Sequence, residues 1–339
     1  MLGITAVPPD GDRMVFCCRV CVSSEKSRHY EAREMMYGLR TQFHYAQCAA
    51  CGSLSLLDPP ADYAKYYHSG YYSFDEPRRG SSLKETIVAR FRARRDRSYF
   101  SQDGWLGRIL TRYYENTALR ATARLKVDRR SRILDVGCGT GALLLRLHDL
   151  GFENVGGIDP FISREIHYAN GVKVRKCFLE DLKKEAWDVV MFHHSLEHMP
   201  DPGATLRTVG ELLPAKGQCL VRLPVVACAW EWYRGSWVGL DPPRHFWLPT
   251  EKGMKILAQS VGLKVTEVEY DSTAIQFWGS ELYSSNHAYA EVGPGTSELS
   301  KFFTKRQLAQ FRRRAEKLNR EGLGDSAAFF IERAEGLTA

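Results

Sequence analysis

The stretch Ile133-Leu-Asp-Val-Gly-Cys-Gly-Thr-Gly-Ala142 decides the fold. Its first half is a short apolar run, as in a buried strand, and its second half is a glycine-rich turn that leads into an amphipathic segment ending at Leu150. Glycines at a strand-to-helix turn leave the backbone uncovered, so a ligand can approach it where a Cβ would stand in the way. The stretch therefore predicts a ligand-binding βα unit.

Short apolar runs alternate with amphipathic stretches from Arg132 onward, which is typical of a βαβ sheet. The first predicted strand is 133–137, and six more follow at residues 154–159, 172–178, 187–193, 218–223, 263–270 and 325–332. Helices are predicted at residues 141–150, after Thr250 and from 304 to 318. The expected fold class is α/β, with three layers around a Rossmann-like, seven-stranded sheet.

Two classes of cofactor could use the glycine turn. The spacing Gly137-x-Gly139-x-x-Ala142 passes the relaxed dinucleotide fingerprint, so NAD has to be considered. Asp135, just before the first glycine, favours another cofactor: it would repel a pyrophosphate but attract the cationic amino-acid end of S-adenosylmethionine. Gly141 completes the turn, and S-adenosylmethionine is the predicted cofactor.

Further acidic residues follow the second and third predicted strands. Asp159 comes 22 residues after Gly137 and is placed to accept hydrogen bonds from both ribose hydroxyls, a role that both cofactor classes share. Glu180 and Asp181 follow the third strand, where they could meet the adenine amine.

Four cysteines near the N-terminus have the spacing of a metal site. Cys18-x-x-Cys21 and Cys48-x-x-Cys51 are separated by 26 residues, and each pair could grip one side of a tetrahedral ion. The arrangement predicts a zinc ribbon with structural Zn²⁺, for which His44 or Cys17 could substitute as a ligand. One alternative is a redox-active Cys-x-x-Cys pair, which would normally occur once and in a βαβ context. The other is a set of disulfide bonds, which would be expected in a secreted chain.

The segment between the ribbon and the sheet is rich in tyrosine and arginine. Five tyrosines between residues 63 and 74 suggest packing across a junction or over a ligand cleft. Residues 77–132 hold 16 Lys plus Arg against 5 Asp plus Glu, and the basicity peaks at Ala89–Arg97. This segment is either a solvated helical connector or a binding surface for an anionic partner such as a phosphate-bearing substrate or RNA. The predicted domains are a zinc ribbon at 1–60, a helical connector at 61–126 and a catalytic domain at 127–339.

At the glycine turn and its acids, over about residues 120–339, the sequence resembles the class I S-adenosylmethionine-dependent methyltransferases. Two further segments carry the likeness, Trp187–Met191 and Ser195-Leu-Glu-His-Met-Pro-Asp-Pro202. The ribbon, Tyr66-Tyr67, Tyr71-Tyr72 and Pro243-Arg-His245 are similar to a zinc-ribbon-bearing subgroup frequent in bacterial sugar and polysaccharide pathways. The resemblance implies methylation of a small-molecule or glycan acceptor, such as a sugar or nucleotide sugar.

The candidate catalytic residues are His245 and His198. His245 lies between the fifth strand and the helix after Thr250, and imidazole can take a proton from a hydroxyl at neutral pH. Arg244 could hold an anionic part of the acceptor. The alternative for His245 is that it merely pins its loop to a backbone carbonyl. The aromatic loop from Cys228 to Thr250 is either hydrophobic cover, or a substrate lid or sugar-stacking platform.

The 339-residue composition, with 44% hydrophobic and 26% charged residues, is that of an ordinary globular protein. No uncharged apolar stretch reaches the length of a membrane span and no secretory signal is evident, so the expected location is the cytoplasm. An RNA-binding or RNA-modifying enzyme and an NAD-dependent sugar enzyme are the alternative functions.

Overall fold

The computed structural model of the chain describes residues 16–67, 83–100, 116–182, 185–292 and 296–334. The strands within these residues are β1 (Ser27–Arg33), β2 (Gln42–Cys48), β3 (Leu54–Leu56), β4 (Arg132–Val136), β5 (Asn154–Ile158), β6 (Ile166–His167), β7 (Lys173–Arg175), β8 (Val189–His193), β9 (Gln218–Pro224), β10 (Trp247–Leu248), β11 (Leu263–Tyr270) and β12 (Ser326–Arg333).

The helices of the same residues are α1 (Leu83–Phe100), α2 (Thr117–Thr122), α3 (Ala142–Asp149), α4 (Pro202–Leu212), α5 (Cys228–Tyr233), α6 (Glu251–Ser260), α7 (Ile275–Ser284), α8 (Tyr289–Val292), α9 (Thr296–Leu299) and α10 (Lys305–Arg320). Short 3-10 helices occur at Ala64–Tyr66, Leu179–Leu182, Leu196–His198, Arg234–Ser236 and Val238–Leu240. None of the helices in the described ranges is long and apolar enough to cross a membrane.

The large sheet has the strand order β11-β12-β9-β8-β4-β5-β7-β6. Strands β4, β5, β7, β8 and β9 run parallel, whereas β12 is antiparallel to both of its neighbours. All seven predicted strands are present, so the predicted fold class is confirmed. The eighth strand, β6, has two residues and is too short to be predicted from periodicity.

A second, smaller sheet has the order β1-β2-β3-β10, with antiparallel pairing throughout. Its first three strands come from the N-terminal cysteine-rich segment. Its fourth strand, β10, comes from residues 247 and 248, in the loop that follows β9. The N-terminal segment therefore completes its sheet with a strand from the distant C-terminal half of the chain.

The cysteine-rich segment also shares the core of the large sheet. Cys18, Val20, Cys48 and Cys51 belong to the same buried cluster as side chains from β4, β8, β9, β12 and α6. A helix cap strengthens this junction: the Thr250 hydroxyl accepts from Gly253 N at 2.9 Å and donates to Cys51 O at 2.6 Å. The cysteine-bearing end of the small sheet is thus packed into the core of the large sheet. Most other apolar side chains of the small sheet form a second cluster with the loop after β9.

The aromatic loop after β9 folds into α5, two 3-10 turns and β10. Trp230, Trp237 and Trp247 are fully buried, so most of the loop's aromatic residues are hydrophobic cover. Trp232 is the exposed exception, and its ring stacks on Phe277 while Arg314 lies 4.1 Å from its centroid. The interpretation as a broad stacking platform for the acceptor finds no support in this arrangement.

The connector is only partly described. Tyr66 is buried against Phe43, whereas Tyr71, Tyr72 and residues 101–115 lie outside the described residues. In α1, Arg95 is buried and pairs with Asp96, which also accepts from Arg146 Nη1 at 2.8 Å. Arg95 is therefore buried in the packing of α1 near α3, whereas Arg92 and Arg94 on the same helix are exposed to solvent.

Candidate functional site

The glycine turn between β4 and α3 has the backbone conformation that glycine alone adopts easily. Gly137, Gly139 and Gly141 have φ values of +71°, +54° and +82°. A Cβ on Gly137 would lie 2.5 Å from Ser195 Cβ, because the Ser195 hydroxyl packs in to donate to Val136 O at 2.6 Å. The turn therefore fits tightly against the segment after β8 and keeps its backbone open on the ligand side.

Two buried carboxyl groups flank this turn. Asp135 ends β4 and is 4% exposed, and burial followed by the charge of Asp159 raises its pKa to about 8. Asp159, at the end of β5, accepts from Gly139 N at 3.0 Å and from Phe161 N at 2.9 Å. Neither acid has an ion-pair partner within the described part of the chain. The pair is an electrostatic site suited to a cationic or hydroxyl-rich ligand.

A cavity of about 360 Å³ opens at the carboxyl ends of β4, β5 and β8. In this architecture ligands bind at such carboxyl ends. Gly137, Asp159, Glu180 and His198 all line it. Three aromatic rings also line it: Phe161 and Phe178 are 74% and 59% exposed, and Tyr67 stacks on Phe161 at 6.4 Å. The cavity thus combines acids with exposed aromatic faces, a lining suited to a nucleoside.

A cluster of histidines and one glutamate lies next to the cavity. Glu197 is completely buried, and neither of its carboxylate oxygens has a hydrogen-bond partner among the described residues. Its Oε1 lies 3.5 Å from His194 Nδ1 and 3.9 Å from His245 Nε2. Ligand atoms of Glu197, His198 and His245 all lie within 4.8 Å of one another. The cluster can hold a proton or another cation between its imidazoles and its carboxylate.

Burial sets the protonation states in this cluster. Burial would raise the pKa of Glu197, but the nearby ring of His194 and the charges that the neighbouring imidazoles carry when protonated lower it to about 2. Burial and then the charge of His245 lower the pKa of His198 to about 4. At neutral pH a carboxylate therefore stands beside a neutral His198. The Nδ1 of His198 lies 3.0 Å from Arg244 O and 3.2 Å from the Tyr67 hydroxyl.

His245 and Arg244 occupy different surroundings from those the sequence suggested. His245 does not line the cavity, and its Nδ1 is hydrogen-bonded to Gly239 O at 3.0 Å, as in the loop-pinning alternative. Arg244 is fully buried, with Asp241, Glu34 and Tyr66 O as partners. Its guanidinium is thus committed to the protein, and the suggestion that it holds an anionic acceptor is wrong.

The four cysteines of the proposed metal site come together. Cys18 Sγ lies 3.6 Å from Cys51 Sγ, and Cys21 Sγ lies 3.6 Å from Cys48 Sγ. A tetrahedral zinc ion with Zn–S bonds of about 2.3 Å needs sulfur atoms roughly 3.8 Å apart, and all four thiols are free. The donor set and its spacing fit zinc. Cys17 is exposed and outside this group, and His44 pairs with Asp58 at 2.8 Å.

The predicted cofactor residues divide into two groups in the structure. Gly137, Asp159 and Glu180 line the cavity, whereas Asp135, Gly139 and Gly141 are not among its lining residues. Asp181 does not line the cavity, and its carboxylate accepts from Phe178 N at 2.9 Å.

No role is predicted from the sequence for three residues of this region: Phe161, Phe178 and Glu197. Tyr67 lines the cavity, in agreement with the prediction that the tyrosine-rich segment packs over a ligand cleft. The position of Phe161, two residues after Asp159, was a usable signal for a side chain at the cavity. The burial of Glu197 among three histidines could not be predicted from the sequence, since it depends on the distant loop that carries His245.

Comparison with known proteins agrees with this geometry. Residues 109–268 match the family model of a methyltransferase domain. The ubiquinone biosynthesis O-methyltransferase of Marinobacter nauticus is 36% identical over 102 residues, covering 26% of this chain and 42% of that protein. The enzyme of the same name from Azorhizobium caulinodans is 34% identical over 127 residues, covering 35% and 48%. The match thus spans less than half the length of these relatives.

Solved structures with a similar fold are more distant in sequence. One of them is a mycolic acid cyclopropane synthase in complex with S-adenosylhomocysteine (SAH), which is 20% identical to this chain. The structural match covers 63% of this chain and 81% of the synthase, with a TM-score of 0.42. A likeness of this size carries no information on the acceptor. Residues 109–268 are therefore similar to a methyltransferase domain, and the observed sheet with its glycine turn after β4 is consistent with that match.

Proposed function

We propose that this protein transfers a methyl group from S-adenosylmethionine to a hydroxyl of a small molecule. The observation that carries the proposal is the cavity at the strand ends, which joins Asp159 and the glycine turn on one side to His198 on the other. One end of a ligand bound along the glycine turn would therefore lie next to the neutral imidazole of His198.

The residues around the cavity have distinct parts in holding the cofactor. The carboxylate of Asp135 would attract the ammonium group through the open glycine turn, and Asp159 would accept from the ribose hydroxyls. Glu180 would accept from the adenine amine, and Phe161 and Phe178 would pack on the faces of the base. When bound, S-adenosylmethionine supplies a methyl group on a positively charged sulfur. The protein's task is then to align the acceptor oxygen and to exclude water.

We assign the role of general base to His198, in preference to His245. His198 lines the cavity and is neutral at pH 7, so it can receive the acceptor's hydroxyl proton while the oxygen–carbon bond forms and the carbon–sulfur bond breaks. The imidazolium that results would face the buried carboxylate of Glu197, which has no other donor among the described residues. The charge of Glu197 raises the pKa of His198 against the larger lowering by burial, and so makes proton transfer to this ring easier than it would be without Glu197.

We propose a sugar, nucleotide sugar or glycan as the acceptor, on the strength of the sequence resemblance. A phenolic hydroxyl is the second candidate, since the curated relatives are named as ubiquinone biosynthesis O-methyltransferases. The nine free thiols fit a reducing compartment, so we propose the cytoplasm as the site of the reaction. Incubation with both acceptor classes, followed by mass spectrometry for a gain of about 14 mass units, distinguishes them.

Calorimetry tests the cofactor. S-adenosylmethionine and S-adenosylhomocysteine should bind, NAD should not, and Asp159→Ala should weaken binding by about 2–3 kcal/mol through loss of charge-assisted hydrogen bonds. Heat of binding with NAD alone would overturn the assignment in favour of an NAD-dependent enzyme. Salt-sensitive RNA binding with no methylated small molecule would favour the RNA-modifying alternative.

Histidine variants test the base. His198→Ala should lower the methylation rate about 100-fold or more while the dissociation constant for S-adenosylhomocysteine and the melting temperature stay close to those of the parent. His29→Ala, on the exposed side of β1, is the matched control and should retain full activity. Near-parental turnover in His198→Ala would remove this histidine from the mechanism, and a rate loss confined to His245→Ala would transfer the role to His245.

A further inference from the structure

The two cysteine pairs contact the catalytic part of the chain at two places, and one of these places borders the cavity. The second pair lies against the start of α6, where Lys252 Nζ donates to Ala50 O at 2.7 Å and Thr250 N donates to Ser53 Oγ at 3.2 Å. The first pair approaches a wall of the cavity, where the segment after β8 turns into α4. The metal-binding cysteines therefore contact the catalytic part of the chain from two directions.

Arg19 makes the contact on the side of the cavity. It lies between Cys18 and Cys21, and its Nη1 donates to Pro200 O at 2.8 Å. Its guanidinium also lies 5.8 Å from the centre of the Phe246 ring. Cys18 and Cys21, on either side of Arg19, are predicted zinc ligands. A bound metal ion would therefore fix the position of the Arg19 backbone.

The segment that Arg19 reaches is a wall of the cavity. Met199, Pro200 and Asp201 all line it and follow directly after His198. A second bond fixes the same segment, since Trp247 Nε1 in β10 donates to Met199 O at 2.9 Å. Asp201 then caps α4 by accepting from Ala204 N at 2.8 Å. A shift of this segment would move both the cavity wall and the candidate base.

We propose that Arg19 is a positioning residue for the cofactor site, coupling the four-cysteine metal site to the segment His198–Asp201. Metal at the cysteines and cofactor in the cavity then favour the same arrangement of this segment. Two ligands that stabilise one arrangement must increase each other's affinity by the same factor. The inference rests on the proposed binding of S-adenosylmethionine.

The first test replaces the side chain and leaves the cysteines intact. Arg19→Ala should keep the parent's zinc content, measured by elemental analysis, but weaken S-adenosylhomocysteine binding about fivefold, the order expected for loss of one hydrogen bond. Arg19→Lys, which can still reach a carbonyl with one donor, should recover part of the affinity. Arg28→Ala, at an exposed position of β1, is the matched control and should bind like the parent.

The second test measures the coupling from the metal side. Saturating S-adenosylhomocysteine should slow the release of zinc to a chromogenic chelator in the parent and in Arg28→Ala, but not in Arg19→Ala. Zinc release that is independent of the ligand in the parent, or equal protection in Arg19→Ala, would overturn the inference. Failure of the parent to bind S-adenosylhomocysteine at all would instead overturn the proposed function, so the two failures are distinguishable.

Discussion

Asp135 shows how much of a binding residue can be seen in the sequence. Its place before the glycine turn marks it as a ligand-facing acid, and this requires only local spacing. Its protonation state cannot be obtained that way, because it depends on burial and on Asp159, which approaches from the next strand. The free protein holds a largely protonated Asp135 at neutral pH, and a cationic ligand would favour the carboxylate.

This protonation leads to a calorimetric prediction. Since the pKa of Asp135 in the free protein is raised to about 8, cofactor binding at pH 7 should release close to one proton per ligand, and the release should fade as the pH passes about 9. Affinity should accordingly rise between pH 6 and 8, because less work is needed to ionise the acid. Titrations in buffers with different ionisation enthalpies measure the proton count.

Asp135→Asn is the control for this measurement. The variant keeps the size of the side chain but removes its ionisable group, and any proton that the ligand itself gains or loses is still counted. It should bind more weakly and lose the proton release that belongs to the carboxyl group. An unchanged proton count in the variant would show that Asp135 does not ionise on binding.

At the scale of single elements, the strands and helices of the large sheet could be predicted because each has a local pattern. Strand β9 is an uninterrupted buried run, and α3 begins at a glycine turn. Strand β10 has two residues and exists only because β3 pairs with it, so no local signal marks it. The same dependence on distant partners hid the role of Arg244 and the position of His245.

Helix α1 gives a prediction that separates packing from charge. Arg95→Gln should lower the melting temperature, because it leaves the buried Asp96 with one cationic partner fewer. The double variant Arg92→Gln, Arg94→Gln removes two exposed charges and should leave both melting temperature and cofactor affinity within error of the parent. Thermal melts of the two variants, measured side by side, compare the effects.

A lower melting temperature for the double variant than for Arg95→Gln would contradict the assignment of Arg95 as the packed arginine. Salt-dependent RNA binding by the parent that disappears in the double variant would mean that the exposed arginines serve an anionic partner.

At the scale of the whole molecule, the cysteine-bearing end of the small sheet packs into the core of the large sheet, and one strand from the second half of the chain completes the small sheet. The sequence predicted the zinc ribbon from the spacing of its cysteines, and it suggested a unit ending near residue 60. The packing of Cys18, Val20, Cys48 and Cys51 with the large sheet could not be predicted, because a composition pattern does not show which apolar faces meet.

The shared core predicts a single unfolding event. Scanning calorimetry should show one transition for the parent, and Cys48→Ser should lose zinc and several kcal/mol of unfolding free energy while still unfolding in one step. Cys17→Ser, which changes an exposed cysteine outside the four-cysteine group, is the matched control and should keep its zinc. An early, separate transition assigned to the first 60 residues would contradict the shared core.

The origin of strand β10 also has a consequence for how the protein is made. The ribosome completes β3 at Leu56 but does not reach Trp247 until roughly 190 residues later, which takes on the order of 10–40 s at ordinary rates of synthesis. During that interval the small sheet has an unpaired edge, and the apolar side chains around its cysteines have no partner surface. The N-terminal part of the nascent chain should therefore stay sensitive to protease until residue 247 has left the exit tunnel, although it is the first part to emerge.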